Sequence, residues 1–183
     1  RSLTPAQARH LSAGVARAFI SSRAYRDAEA VALFIGFGSE VQTGAIIRDA
    51  WRRGKNVVIP MTSHGFAKPF FSRYQEGDLL IRTPYGPLEL AKTTEPYDLK
   101  CIDLMAVPGL GFDRDGFRLG YGGGVYDRLL KKTPRALHVG LFYGLQRVLH
   151  LPREAHDHPL MAIVTEDGFR AAAESPVLRP GRH

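Results

Sequence analysis

The chain has 183 residues, 44% of them hydrophobic and 23% charged, with a formal net charge of +7. That length suits one domain with a sizeable core, and the balance is ordinary for a globular protein; no apolar run approaches the roughly 18 residues that a membrane span needs. The lone cysteine, Cys101, excludes an internal disulfide and fits a reducing compartment, so a cytoplasmic location is expected. The positive charge favours anionic partners, but the basic residues are spread along the chain, and no block of about five of them supports a nucleic-acid tail.

Taken in order, Thr4-Pro5 is a helix start, with a hydroxyl at the cap and proline at the first helical position. Leu11, Val15, Ala18 and Phe19 then recur at helical spacing and predict an amphipathic helix over 5–23. Ala30 to Phe37 reads as a strand ended by Gly36 and Gly38. Thr43 caps a second helix whose apolar side is Ile46, Ile47, Ala50 and Trp51 and which Gly54 closes. Asn56 to Ile59 is a further buried strand, stopped by Pro60. Strand, helix and strand within about 30 residues form a βαβ unit, which predicts a parallel sheet.

Residues 61–100 are of a different kind. His64-Gly65, Lys68-Pro69, Glu76-Gly77-Asp78 and Pro84-Tyr85-Gly86-Pro87 punctuate short alternating runs, as in a hairpin-rich insert over the carboxyl edge of the sheet. A buried strand over 101–107 follows, which would bury Cys101, then a helix over 124–132. Leu137 to Tyr143 and Ala162-Ile163-Val164 read as strands, 166–173 as a short final helix, and 175–183 as a disordered tail. No internal repeat is present. The expected architecture is α/β: three layers, a mostly parallel sheet with helices on both faces, and a small β-rich insert, in one domain over 1–174.

The chain is organised around Val107-Pro-Gly-Leu-Gly-Phe-Asp-Arg-Asp-Gly-Phe-Arg-Leu-Gly-Tyr-Gly-Gly-Gly-Val-Tyr-Asp-Arg128. Seven glycines, three aspartates and three arginines lie in this stretch. Consecutive glycines are costly in conformational entropy. They make sense where backbone N–H groups must approach a ligand, and a glycine run that opens a helix is an anion site. No Gly-Lys-Ser/Thr follows, so this is not the common P-loop, and Val125 stands where the dinucleotide fingerprint needs its third glycine. A bare glycine triplet is as readily a ligand-free turn; the flanking Arg118, Tyr126, Asp127 and Arg128 favour the ligand.

From Pro108 the pattern Pro-Gly-Leu-x-Phe-Asp-x-x-Gly-x-Arg-Leu-Gly-Tyr-Gly-Gly-Gly-x-Tyr-Asp-Arg resembles the signature of the 5-formyltetrahydrofolate cyclo-ligase family. It departs at Val125, where the family usually has a tyrosine, and at Gly111, where alanine is usual. Gly38-Ser-Glu-Val-Gln-Thr43 resembles the family's Glu-Val/Ile-x-Thr segment, and Phe71 and Gly77-Asp78 fit its middle segment. Gly86-Pro-Leu-Glu89 resembles Gly-Ile-x-Glu-Pro with Leu90 for the proline, and Glu95-Pro96 is a rival alignment. His156-Asp157-x-Pro-Leu and Val164-Thr-Glu166 resemble the closing pattern. The family's Lys-x-x-Leu-Arg box would precede Arg1.

The resemblance implies ATP- and Mg²⁺-dependent conversion of 5-formyltetrahydrofolate, polyglutamylated or not, to the 5,10-methenyl form by a monomer, with no nucleic-acid or membrane partner. It implies that Arg118 and Tyr126 are catalytic. ATP would lie on Arg118, Gly120, Tyr121, Gly122, Gly123, Gly124, Val125 and Tyr126. Ile35, Glu40 and Phe71 would hold the folate, and Asp127 and Asp157 the metal. Taken without the resemblance, Asp127 is a helix N-terminal charge, His156-Asp157 a solvated pair and Ile35 core, while Asp113 and Asp115 read as turn residues. Val125 and the missing box keep open a catalytically silent folate- or nucleotide-binding relative. An RNA-binding module is disfavoured, since the tyrosines and arginines cluster in a glycine loop rather than on a strand face.

Overall fold

The computed structural model describes residues 3–62, 68–84, 86–92, 95–153 and 157–172. His64-Gly65, Tyr85, His156 and the tail 175–183 lie outside the described residues. In chain order the elements are α1 (Pro5–Ser21), α2 (Arg23–Asp27), β1 (Ala30–Ala32), α3 (Gly44–Arg52) and β2 (Asn56–Met61). They continue with β3 (Phe70–Arg73), β4 (Leu80–Arg82), β5 (Leu88–Leu90), β6 (Leu104–Val107), β7 (Gly111–Phe112), β8 (Arg118–Leu119), α4 (Val125–Lys132), β9 (Leu137–Leu141), β10 (Ala162–Thr165) and β11 (Gly168–Ala171).

The central sheet has seven strands in the order β11-β10-β9-β6-β1-β2-β3. Its five inner strands are parallel, and β3 and β11 run antiparallel at the two edges. Side chains alternate between two cores as the pleat requires. Val31, Val57, Leu104, Ala106, Val139 and Val164 face α1 to α3, with Val15, Phe19, Tyr25, Ile46 and Ala50 packed on them. Ala32, Val58, Met105, Val107 and Ile163 face the other side, where Leu129 and Leu130 of α4 cover them. Helices therefore lie on both faces, and α/β is the observed class. None of the described helices is long and apolar enough to cross a membrane.

Several predicted boundaries shift for local reasons. Ser22 ends α1 by extending its backbone, and its hydroxyl accepts the Tyr25 N–H to start α2. The chain leaves the sheet after Ala32 because it must fold back toward α3: the Thr43 hydroxyl bonds the Phe34 carbonyl. A Cβ on Gly36 would lie 2.1 Å from the Val41 carbonyl oxygen, so only glycine allows that turn. Pro60 does not stop β2. The Leu33 N–H meets the Val58 carbonyl and the Tyr74 N–H the Val57 carbonyl, so the even positions face β1. The N–H that Pro60 lacks would point past the end of β1, where no ladder bond is due.

Cys101 is exposed, contrary to the buried strand expected there. Asp98 caps a 3₁₀ turn over Leu99–Cys101, its carboxylate accepting the Lys100 N–H, and the strand starts only at Leu104. The expected final helix is also overturned. Thr165 to Gly168 turns tightly, with Gly168 at φ +131°, and β11 pairs back on β10. The insert is divided: β3 joins the main sheet, and β4–β5 form a separate hairpin whose Leu90 packs on Ile59 and Met61.

Candidate active site

The helices that follow β1 and β6 lie on opposite faces of the sheet, so neighbouring strands β1 and β6 flank a topological switch point. Crevices outside the carboxyl ends of strands at such points are where open α/β sheets bind ligands. A cavity of about 680 Å³ opens there, walled by Phe34 and Ile35 after β1, Pro60 and Thr62 at the end of β2, and Pro108 and Gly109 after β6. Pro87, Leu88 and Glu89 of the insert close one side, and the loop from Phe117 to Asp127 the other.

Asp113 builds the base of the glycine loop. It is fully buried, and one carboxylate oxygen accepts the N–H of Asp115 (3.0 Å) and of Phe117 (3.1 Å) while the other accepts that of Leu151 (3.2 Å). The paired β7 and β8 emerge from this turn. A Cβ on Gly109 would lie 2.8 Å from the Leu119 carbonyl oxygen, so glycine there lets the hairpin close against the end of β6. Asp113 and Asp115 are thus turn residues, as expected. Their carboxylates and His150 come within 4.8 Å of one another, but Arg153 ion-pairs with both aspartates.

Beyond β8 the backbone turns through Gly122 (φ +85°) and Gly124 (φ +62°) into the first turn of α4. Gly124 caps the helix without a side chain, which leaves its N-terminal N–H groups open to an anion. A Cβ on Gly120 or Gly122 would meet nothing within 4 Å, so this stretch borders open space. Arg118 reaches under the loop, its side chain only 6% exposed, and its guanidinium donates to Asp127 Oδ1 at 2.7 Å and to the His158 carbonyl at 3.3 Å.

Glu40 lies on the facing wall. Only 4% exposed, it accepts the Phe37 N–H at 3.1 Å. Burial pushes its carboxyl up to about 7, against the opposing Phe37 hydrogen bond. The Tyr126 hydroxyl is raised well above its ordinary range by burial and by the Glu40 charge, with Arg118 opposing. Tyr121 is raised by the same two causes, opposed by Ser39, and its ring stacks on Phe37 at 5.4 Å. The loop carrying Glu40 is anchored from below: the Tyr143 hydroxyl meets the Glu40 carbonyl (3.0 Å) and Ser12 Oγ (2.8 Å).

The cavity thus brings together Ile35, Glu40, Arg118, Gly120 to Asp127 and Asp157. Phe71 is not among its walls; 1% exposed and paired with Pro60, it packs with Val58 and Met105 in the core. For a Mg²⁺ ion the donor set fits: Asp127 and Asp157 both face the cavity beside the loop N–H groups, and one or two carboxylates suffice when phosphate oxygens and waters complete the shell. Among the wall residues that sequence reasoning missed are the polar Thr62 and His158. The His158 Nε2 is buried with no hydrogen-bond partner among the described residues; its only sequence signal is adjacency to Asp157.

An exposed glycine loop facing a wall that bears buried Glu40, across the switch point of a parallel sheet, is the kind of crevice in which α/β enzymes bind their ligands. Residues 1–166 match the model of the 5-formyltetrahydrofolate cyclo-ligase family. The chain is 35% identical over 144 residues to the 5-formyltetrahydrofolate cyclo-ligase of Haemophilus influenzae, covering 76% of each. It is 31% identical over 170 residues to that of Escherichia coli K12, covering 90% of this chain and 93% of the other. The solved 5,10-methenyltetrahydrofolate synthetase of Aquifex aeolicus superposes with a TM-score of 0.81 at 30% identity, over 99% of this chain and 91% of that one. The chain belongs to the 5-formyltetrahydrofolate cyclo-ligase family.

Proposed function

We propose that this enzyme closes 5-formyltetrahydrofolate to 5,10-methenyltetrahydrofolate with consumption of ATP. The observation that carries the reading is one cavity lined by a glycine loop over Arg118 and, facing that loop, a wall bearing buried Glu40. The family membership and the names of the relatives support it.

ATP answers a leaving-group problem. N10 of the folate must attack the formyl carbon on N5, and the formyl oxygen is a poor leaving group. When that oxygen takes the γ-phosphoryl group, ADP departs and an N5 iminium phosphate remains. N10 then bonds to the carbon and loses its proton, and phosphate leaves with the former formyl oxygen. The protein's part is positioning and charge neutralisation. The N–H groups of Gly122 to Tyr126 at the helix N-terminus would donate to phosphate oxygens, Arg118 adds a fixed positive charge, and Asp127 keeps that guanidinium oriented. Glu40, as a carboxylate, accepts an N–H of the folate. A Mg²⁺ held by Asp127 and Asp157 would neutralise phosphate charge.

The test is the methenyl absorbance that grows when the protein is mixed with 5-formyltetrahydrofolate, ATP and Mg²⁺. Growth that needs all three supports the reading; folate binding without turnover would favour a silent relative. Asp127→Asn and Asp157→Asn should each cost about 1.4 kcal/mol or more of barrier, about tenfold in rate. Normal turnover and unchanged Mg²⁺ dependence in both would remove the metal assignment.

A further inference from the structure

Two buried carboxylates face this cavity, and only one of them has a role so far. Glu89 stands in the middle of β5, 3% exposed, and lines the cavity wall. Its Oε1 accepts the Thr62 N–H at 2.7 Å and the Thr62 hydroxyl. Those two bonds use both lone pairs of that oxygen. Among the described residues nothing hydrogen-bonds Oε2, and no basic side chain pairs with Glu89. A buried carboxylate without a cation or a full set of donors is destabilising. Fixing Thr62 accounts for one oxygen and leaves the other an acceptor directed at nothing the protein supplies.

The two acids also sit on different elements. Glu40 is carried by the loop after β1 and faces the loop tyrosines, since its charge raises the hydroxyls of both Tyr121 and Tyr126. That is the end where phosphate chemistry belongs. Glu89 is carried by the β4–β5 hairpin and tied to the end of β2, beside Pro60 and Leu88. The folate in question has matching ends: a formyl-bearing centre, and an aminopyrimidine edge with adjacent ring and amino N–H donors and no charge. Rigid adjacent donors call for a fixed acceptor in an apolar wall.

We propose that Glu89 is a substrate-recognition residue, its Oε2 accepting an N–H of the 2-aminopyrimidine edge of the reduced folate, with Thr62 holding the carboxylate in place. The proposal rests on the folate reading given above. It makes the enzyme selective for ring systems that carry the exocyclic amino group, and it leaves Glu40 to the reacting end.

Glu89→Gln tests it, because the amide oxygen can keep both Thr62 bonds while the amide NH₂ replaces Oε2 and opposes the ring donors. Binding is measured by titration calorimetry without ATP, using 5-formyltetrahydrofolate and its 2-desamino analogue, with ATP alone as a separate titrant. For 5-formyltetrahydrofolate the variant should lose about ten- to a hundredfold in affinity. For the 2-desamino analogue the wild type should already be weak, and the variant should lose less than about threefold more. ATP affinity should not change. Equal losses for the two folates, no loss for either, or a parallel loss for ATP would overturn the proposal and leave Glu89 a structural acid. Failure of the wild-type protein to bind 5-formyltetrahydrofolate at all would overturn the folate reading and this proposal with it.

Discussion

Glu40 shows how one residue can set two pH dependences. Its carboxyl is held at about 7 by burial, above its ordinary value of 4.5. A carboxyl raised by folding is favoured protonated in the native state, so its stability contribution is intact below pH 4.5 and lost as pH climbs through about 7. Glu40→Gln should therefore be more stable than the wild type at pH 8, by at most about 3 kcal/mol, and equal to it at acid pH. Denaturant midpoints at the two pH values decide this, and a gain independent of pH would refute it. Binding runs the other way. Only the carboxylate accepts a ligand N–H without donating, so wild-type folate affinity should rise with pH through about 7, and the variant's should stay flat. Val125 lines the cavity as the first residue of α4. Tyr143 cannot supply the hydroxyl missing there, because its own is engaged with Ser12 and Glu40 on the other face of the sheet. Val125→Tyr should raise kcat/KM for 5-formyltetrahydrofolate by about three- to tenfold, the worth of one neutral hydrogen bond; an unchanged or lower value would count against it.

At the scale of elements, legibility followed the range of the forces involved. The βαβ unit and α4 could be read because their apolar periodicity is local, and Thr43 to Gly54 brackets α3 closely although the Thr43 hydroxyl bonds the Phe34 carbonyl and not the helix. Cys101 was misplaced since a run of apolar letters does not reveal that the Asp98 side chain bonds the Lys100 N–H and turns the chain first. The last hairpin was misread as a helix because β11 exists only by pairing with β10, a contact between strands that propensity does not carry. Likewise the glycine run was legible as the turn that opens α4, while Phe71's withdrawal into the core and the exposure of Glu89 to the cavity depend on which way β3 and β5 pack. The β7–β8 hairpin offers a test of such long-range control. Asp113→Ala leaves three N–H groups, one buried and two part-buried, without their acceptor, and should cost about 3 kcal/mol, while Asp113→Asn, still able to accept, should cost less. Equal costs in urea unfolding would show that the carboxylate's acceptor geometry is not what holds the loop.

The whole molecule places its cavity where segments far apart in sequence converge: 34–40 after β1, 60–62 at the end of β2, 87–89 of the insert, and 108–127 with 157–158. These loops touch at a few points, Phe37 on Tyr121, Thr62 on Glu89 and Arg118 on the His158 carbonyl, around the space a ligand would fill, while the sheet beneath holds their roots. A ligand spanning that space binds the native state alone, so it stabilises by about 2.7 kcal/mol at a hundred times its dissociation constant. For a chain of this size that amounts to about 5–10 °C in Tm. The two ends of the cavity should respond separately to hydrogen exchange. A non-hydrolysable ATP analogue alone should protect amides of 118–127, whose N–H groups would meet the phosphates. 5-Formyltetrahydrofolate alone should protect 35–43 and 86–90, the segments that carry Glu40 and Glu89. Both together should protect all three and raise Tm beyond the larger single shift. If the folate alone protected the glycine loop and left 86–90 unchanged, the substrate would lie reversed in the cavity, and the division of labour between its ends would fall.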